Sequence, residues 1–149
     1  MDVARLKSEI TSDPAGLGYS GKTDQQVADL MNAVTREVDR GLVAAHVLFR
    51  RFNQAEYVAK ITDLTDGVRN RHLLEVLLGM GEVDINDANV EALLTTVFNG
   101  GGSATIRNLI GHAAGAFPGD DLRKKKVSRA GQLGFGTVLP GHVTEARSA

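Results

Sequence analysis

Residues 23–38, TDQQVADLMNAVTREV, contain the clearest helix signal in the chain. Thr23 and Gln26 have the spacing of a capping box, in which each side chain accepts a hydrogen bond from the backbone N–H of the other residue. Apolar residues then follow at the spacing of one helix face. They are Val27, Leu30, Met31, Val34 and Val38. This stretch therefore predicts an amphipathic helix from residue 23 to residue 38.

Helix signals of the same kind recur along the chain, for example in segments 42–52, 53–64 and 86–98. Alternation of apolar and polar residues with period two never extends beyond about four residues, so the sequence predicts negligible sheet. We therefore predict an all-α fold, a compact bundle of about six to eight short helices with a C-terminal arm.

One predicted helix, which begins near Thr65-Asp66, is apolar on nearly all sides. Its apolar residues are Leu73, Leu74, Val76, Leu77 and Leu78. A helix that is apolar all round is usually buried on several sides. The segment is therefore predicted to lie at the centre of the fold.

Composition limits the classes of protein to consider. The chain has 149 residues, of which 42% are hydrophobic and 23% charged, with a formal net charge of −1. These values are typical of a globular domain, and the net charge gives no general attraction to nucleic acid or anionic lipid. The absence of Cys excludes disulfides and thiolate metal sites. No apolar run approaches the roughly 18 residues of a membrane span, so we expect no membrane partner.

We predict that the chain has two parts. Residues 1–121 are expected to form a helical core domain. Residues 122–149 are expected to form a basic helix and a C-terminal arm, packed on the core or on a neighbouring subunit. The basic helix spans residues 122–133 and ends before Gly134, where the arm begins. It carries Arg123, Lys124, Lys125, Lys126 and Arg129.

The glycine run at residues 99–103, NGGGS, is the sharpest break between predicted helices. Glycines before a helix N-terminus can let a phosphate approach the free backbone N–H groups, and Arg107 follows one turn later. However, the Lys-Ser/Thr pair of a nucleotide-binding loop is missing. We therefore interpret Gly100, Gly101 and Gly102 as a hinge between two helices.

No other group of residues predicts catalysis or the binding of a cofactor. Residues 84–91 are rich in oxygen ligands but lack the order of a calcium-binding loop, and Asn86 and Asp87 are better explained as helix caps. No Ser stands in a Gly-x-Ser-x-Gly turn. The histidines lie in four separate segments, without the spacing of a zinc site; they are His46, His72, His112 and His142. We predict no catalytic residue, no metal site and no cofactor.

The basic residues of segment 122–133 are the one local concentration of charge. A phosphate backbone, an acidic surface of a partner subunit or plain solvent could face them. We predict that they contact a neighbouring subunit or a phosphate; they are Arg123, Lys124, Lys125, Lys126 and Arg129.

Both ends of the chain resemble small proteins encoded in tailed-phage genomes. The N-terminal likeness comprises ITSDP (10–14), GY (18–19), TD (23–24) and VADLMN (27–32). The C-terminal likeness comprises VSRA (127–130), LG (133–134), Val138, GHV (141–143) and AR (146–147), with a looser match at TIRNL (105–109). Gly131-Gln132 departs from the pattern, which has acidic or helix-favouring residues there. The resemblance implies a phage protein without a catalytic motif, in the neck or tail region of the virion or in its assembly.

We therefore predict a non-enzymatic structural or assembly protein of a tailed-phage virion that acts through subunit contacts. Its expected partners are other virion proteins and further copies of itself. Its expected location is the virion, after assembly in the host cytoplasm. The alternative is a small nucleic-acid-binding regulator that uses the basic helix 122–133.

Overall fold

The computed structural model describes residues 1–99 and 102–149. In chain order, its elements are α1 (Val3–Ser12), α2 (Asp24–Asn32), β1 (Arg36–Asp39), β2 (Leu42–Ala44), α3 (Ala45–Arg50), α4 (Gln54–Ile61), α5 (Gly67–Gly79), β3 (Glu82–Asp84), α6 (Ala88–Phe98), α7 (Ala104–Leu109), β4 (Lys124–Val127), α8 (Arg129–Gln132) and α9 (Pro140–Ser148).

The predicted all-α fold is wrong. In the part of the chain that the structure describes, about 52% is helical and 10% is strand. Strands β1 and β4 form one two-stranded sheet, and strands β2 and β3 form another. The fold is therefore mixed α and β, with short strands between the helices.

The helix predicted for residues 23–38 forms only in its first part. The capping box of Thr23 and Gln26 is present, but α2 ends at Asn32. The Asn32 side chain then bonds to a distant segment, since its Nδ2 donates to the Val138 carbonyl at 2.7 Å and its Oδ1 accepts the Val138 N–H at 2.9 Å. The following residues, rich in β-branched side chains, lead into β1, where an extended backbone suits them.

The predicted basic helix 122–133 is also wrong, because residues 124–127 form β4 and the short α8 follows. Asp121 Oδ1 accepts the N–H of Arg123 at 2.9 Å, a local bond that competes with helix formation. Ser128 then caps α8 by accepting the N–H of Gly131 at 3.0 Å. The predicted helix 42–52 likewise begins with strand β2, and α3 follows it.

The chain divides into two compact units. Unit 1 comprises residues 1–38 and 126–149, and unit 2 comprises residues 39–125. The predicted division at residues 121 and 122 differs from this one. The predicted arm includes α9, whose Val143 and Ala146 are fully buried in the core of unit 1.

Unit 1 is built from helices at both ends of the chain. Helix α9 packs against α1 and α2, and α8 packs against α2. The buried residues of this core are Leu6, Tyr19, Val27, Ala28, Met31, Ala130, Val138, Val143 and Ala146. Residues far apart in sequence therefore share one small apolar core.

Unit 2 has a larger core around α5 and α6. The β2–β3 sheet is antiparallel, with Leu42 opposite Asp84 and Val43 opposite Val83. Leu74 and Leu77 of α5 are buried, whereas Val76 is about half exposed, so the burial predicted on several sides of this segment is found on one side only. Four aromatic rings lie in contact near them, mostly edge to face; they belong to Phe49, Phe52, Tyr57 and Phe98.

Within the described residues, none of the helices combines the length and the hydropathy needed to cross a lipid bilayer.

Candidate interaction surface

Two of the five predicted contact residues are paired within their own unit. Arg129 forms two hydrogen bonds of 2.7 Å with the carboxylate of Glu9, which is buried in unit 1. Arg123 forms two with Asp121, at 3.0 and 2.8 Å. These hydrogen bonds raise the pKa of both arginines. Both guanidinium groups therefore have an internal partner.

The other three predicted contact residues, Lys124, Lys125 and Lys126, are exposed along β4. No ion pair or side-chain hydrogen bond engages them in the part of the chain that the structure describes. Successive strand residues point to opposite faces, so the three ammonium groups are divided between the two faces of β4.

An internal carboxylate occupies the helix N-terminus that follows the glycine run. Glu56 Oε2 accepts hydrogen bonds from Ser103 Oγ at 2.8 Å and from the Thr105 N–H at 2.7 Å. Partial burial raises the pKa of Glu56, but the bonds from Thr105 and Ser103 outweigh this effect, so that its pKa lies below the ordinary value. The place that a bound phosphate would take on α7 is thus filled by the protein itself.

The predicted hinge is only partly described, because Gly100 and Gly101 lie outside the described residues. Gly102 is exposed. It lies between Asn99, which ends α6 in the left-handed conformation, and Ser103, which caps α7. The hinge stays a prediction.

In the oxygen-rich segment near residue 84, Asp87 is the helix cap, whereas the side chain of Asn86 donates from Nδ2 to the Arg123 carbonyl at 3.0 Å and caps no helix. Asp87 Oδ1 accepts the N–H groups of Asn89 at 2.8 Å and Val90 at 3.3 Å, so it caps α6 as expected. Asp84 Oδ1 accepts the N–H of Asn86 at 2.9 Å. Among the described residues, no three His, Cys, Asp or Glu side chains are grouped so that they could hold a metal ion.

Unit 2 contains an open apolar groove of about 410 Å³ between the C-terminal end of α5, the β2–β3 sheet and α6. Its apolar lining consists of Leu42, Val76, Leu77, Met80, Val90 and Leu93. Leu42 is 63% exposed and Met80 61% exposed, and Val76 is about half exposed. Contiguous apolar surface of this kind commonly marks a binding site.

Three acidic residues also line the groove, and we call them its acidic rim. They are Glu82, Asp84 and Asp87. Asp84 and Asp87 are fixed by their bonds to backbone N–H groups. Glu82 is exposed and makes no ion pair with another described residue. A partner that fits the groove would therefore combine apolar and cationic side chains.

The sequence patterns predict no groove here, although they contain a signal for it. The apolar density of α5 predicts burial on several sides, yet the protein covers only one side fully. Leu74 and Leu77 are buried, whereas Val68 and Val76 are exposed. The excess of apolar residues over one buried stripe was the usable signal.

A comparison of the chain with protein-family models, curated proteins and solved structures finds no match.

Proposed function

We propose that this chain is a non-enzymatic structural or assembly protein of a tailed-phage particle, in its neck or tail region, and that it works through contacts between subunits. The observation that carries the proposal is the apolar groove of unit 2 with its acidic rim. An apolar surface left open in one subunit is stabilised when a second protein covers it.

The phage context is supported by the resemblance of the two chain ends to tailed-phage proteins. Nearly all the residues of that resemblance lie in unit 1, in segments 10–32 and 127–147. Two segments so far apart in sequence share one core. Apart from the looser match at residues 105–109, the likeness therefore concerns unit 1, while the groove belongs to unit 2.

The test is whether the chain is part of the particle. Virions of the phage that carries the gene are purified on a density gradient and their proteins are measured by quantitative mass spectrometry. We expect the chain to co-purify at a constant ratio to the major capsid protein. A phage-encoded replication protein serves as the control for contamination. Detection of the chain in infected-cell extract but not in purified particles would overturn the proposed function.

A second candidate function, nucleic-acid binding, rests on the exposed lysines 124–126 of β4 and not on a helix. Two phosphate contacts, from Lys124 and Lys126 on one face of β4, would give a slope of about −2 in a plot of log affinity against log salt concentration. Fluorescence anisotropy with a labelled DNA duplex measures this slope. The triple change of lysines 124–126 to Gln should abolish binding, whereas Lys7→Gln should not. No binding by the unchanged chain at low salt would exclude this candidate.

A further inference from the structure

A second apolar feature lies at the other end of α5. The turn between α4 and α5 presents Leu64 with its side chain fully exposed (104%), followed by Val68, which is 84% exposed. We call Leu64 and Val68 the knob, and the apolar surface around Leu42, Val76 and Met80 the groove. Both belong to unit 2.

The knob is held by bonds within its own turn. Asp63 Oδ1 accepts the N–H groups of Thr65 at 2.9 Å and Asp66 at 2.7 Å. Buried Asn70 donates from Nδ2 to the Lys60 carbonyl at 3.0 Å. Because the turn is already fixed, its docking would cost little conformational entropy.

The charges around the knob complement the rim of the groove. Residues 60–71 contain three cationic and two anionic side chains. Both anionic side chains have local partners, since Asp63 binds backbone N–H groups and Asp66 forms an ion pair of 3.3 Å with Arg69. The net charge of residues 60–71 is therefore +1, opposite in sign to the three carboxylates of the rim.

We propose that the groove of one copy of this chain binds the knob of a second copy. The two features lie at opposite ends of α5, since Val68 is in its first turn and Met80 follows its last residue. Twelve residues of helix span about 18 Å, so the knob of a molecule does not reach its own groove. The contact is therefore intermolecular and head-to-tail. Such a contact closes into a ring or continues as a filament. The inference deepens the proposed function and rests on it.

The mass of the full chain in solution tests the inference. We expect the weight-average mass in sedimentation equilibrium to rise from 15.9 kDa between about 10 micromolar and 1 millimolar, since a small contact of this kind binds weakly. Leu64→Asp and Met80→Asp should each weaken association at least about tenfold. Val34→Asp, at a 60% exposed position of unit 1, is the matched control and should have no effect.

A mixture of the two defective variants tests the head-to-tail arrangement. The Leu64→Asp protein keeps its groove and the Met80→Asp protein keeps its knob. Together they should form a heterodimer of twice the chain mass that grows no further. Glu82→Lys should weaken association severalfold, whereas Glu37→Lys, the same change on β1, should not. Circular dichroism confirms that each variant is folded.

A monomeric chain over the whole concentration range would overturn the inference, and so would association that survives both Leu64→Asp and Met80→Asp. Failure of the mixture to form a heterodimer would also overturn it. If knobs bound knobs, or grooves bound grooves, mixing the two variants would not restore association. The proposed function fails separately, by absence from purified particles. A monomeric chain that is present in virions would contradict only the proposed contact between knob and groove and would leave the proposed function standing.

Discussion

The ion pair of Glu9 and Arg129 joins two helices from opposite ends of the chain. Glu9 is 5% exposed, and both of its carboxylate oxygens accept bonds of 2.7 Å from the guanidinium group of Arg129. A buried carboxylate that loses its only cation is strongly destabilising, whereas an apolar replacement of both partners is often tolerated. The stability of the protein therefore depends on keeping both residues of the pair or replacing both.

We expect Arg129→Met to lower the free energy of unfolding by about 3 kcal/mol, because it leaves Glu9 buried without its partner. The double variant Glu9→Leu with Arg129→Met should recover most of this loss. Urea denaturation followed by circular dichroism measures both values. If the double variant is less stable than the single one by a further similar amount, the two side chains act independently and this account is wrong.

Glu56 stabilises the fold by accepting hydrogen bonds at the N-terminus of α7. Its pKa is lower in the folded chain than its ordinary value near 4.5, so the unfolded chain binds the proton more tightly. The stabilisation is therefore fully present above pH 4.5 and is lost as the pH falls through the lower, folded value. The bonds from Ser103 and Thr105 are its structural source.

We expect Glu56→Gln to lower the free energy of unfolding by about 1 kcal/mol at neutral pH, since charge-assisted bonds are stronger than neutral ones. The difference between the two proteins should shrink as the pH falls from about 5 to 3. Thermal unfolding across this pH range is the measurement. Glu75→Gln, at an exposed position of α5, is the control and should show no such convergence. A constant difference at all pH values would refute the assigned role.

At the scale of the element, the two glycines at the ends of α5 differ in their surroundings. A Cβ added at Gly67 would lie 2.8 Å from the carbonyl oxygen of Ile61, which is backbone and does not yield easily. A Cβ added at Gly79 would meet no atom within 4 Å. The first glycine is thus required by the close approach of α4, and the second is not.

Gly67→Ala should lower the free energy of unfolding by about 2 kcal/mol, because the α4–α5 turn must shift. Gly79→Ala should raise it by about 0.5 kcal/mol, because alanine favours the helix. Chemical denaturation of both variants gives the comparison. Equal effects of the two changes would show that backbone entropy, and not the contact with Ile61, governs this helix.

The sequence predicted helices where caps and apolar stripes coincide, and failed where tertiary bonds competed. The capping box of Thr23 and the cap at Asp87 formed as expected. The helix after Thr23 stopped early because Asn32 bonds to residue 138, a partner that local patterns do not reveal. Strand β4 was missed because helix signals and strand signals are hard to separate in a run of lysines.

The candidate site was harder to predict for the same reason. The groove brings Leu42 together with Val76 and Met80, which lie much later in the sequence, and only the excess of apolar residues in α5 pointed to it. The sequence shows that residues 123–129 are basic, but it does not show which of these charges are paired within the protein and which are exposed. Two of these residues have internal carboxylate partners, and the lysines of β4 remain exposed.

At the scale of the whole molecule, unit 1 depends on the joining of both chain ends. Helix α9 is bound to the start of α2, where Thr144 Oγ1 donates to Asp24 at 2.6 Å and Arg147 donates to the Lys22 carbonyl at 2.9 Å. Val143 and Ala146 complete the core. A mobile C-terminal arm would make none of these contacts.

Deletion of residues 137–149 should therefore unfold unit 1, because it removes three residues of a nine-residue buried core; these are Val138, Val143 and Ala146. Hydrogen exchange should show loss of protection in α1 and α2, while α5 and α6 stay protected by the separate core of unit 2. A milder change, Val143→Ala, should cost about 2 kcal/mol, whereas Glu145→Ala on the exposed side of α9 should have little effect. Unchanged protection of α1 after the deletion would contradict this prediction. Residues 1–38 and 126–136 would then be enough to stabilise unit 1 without the last helix.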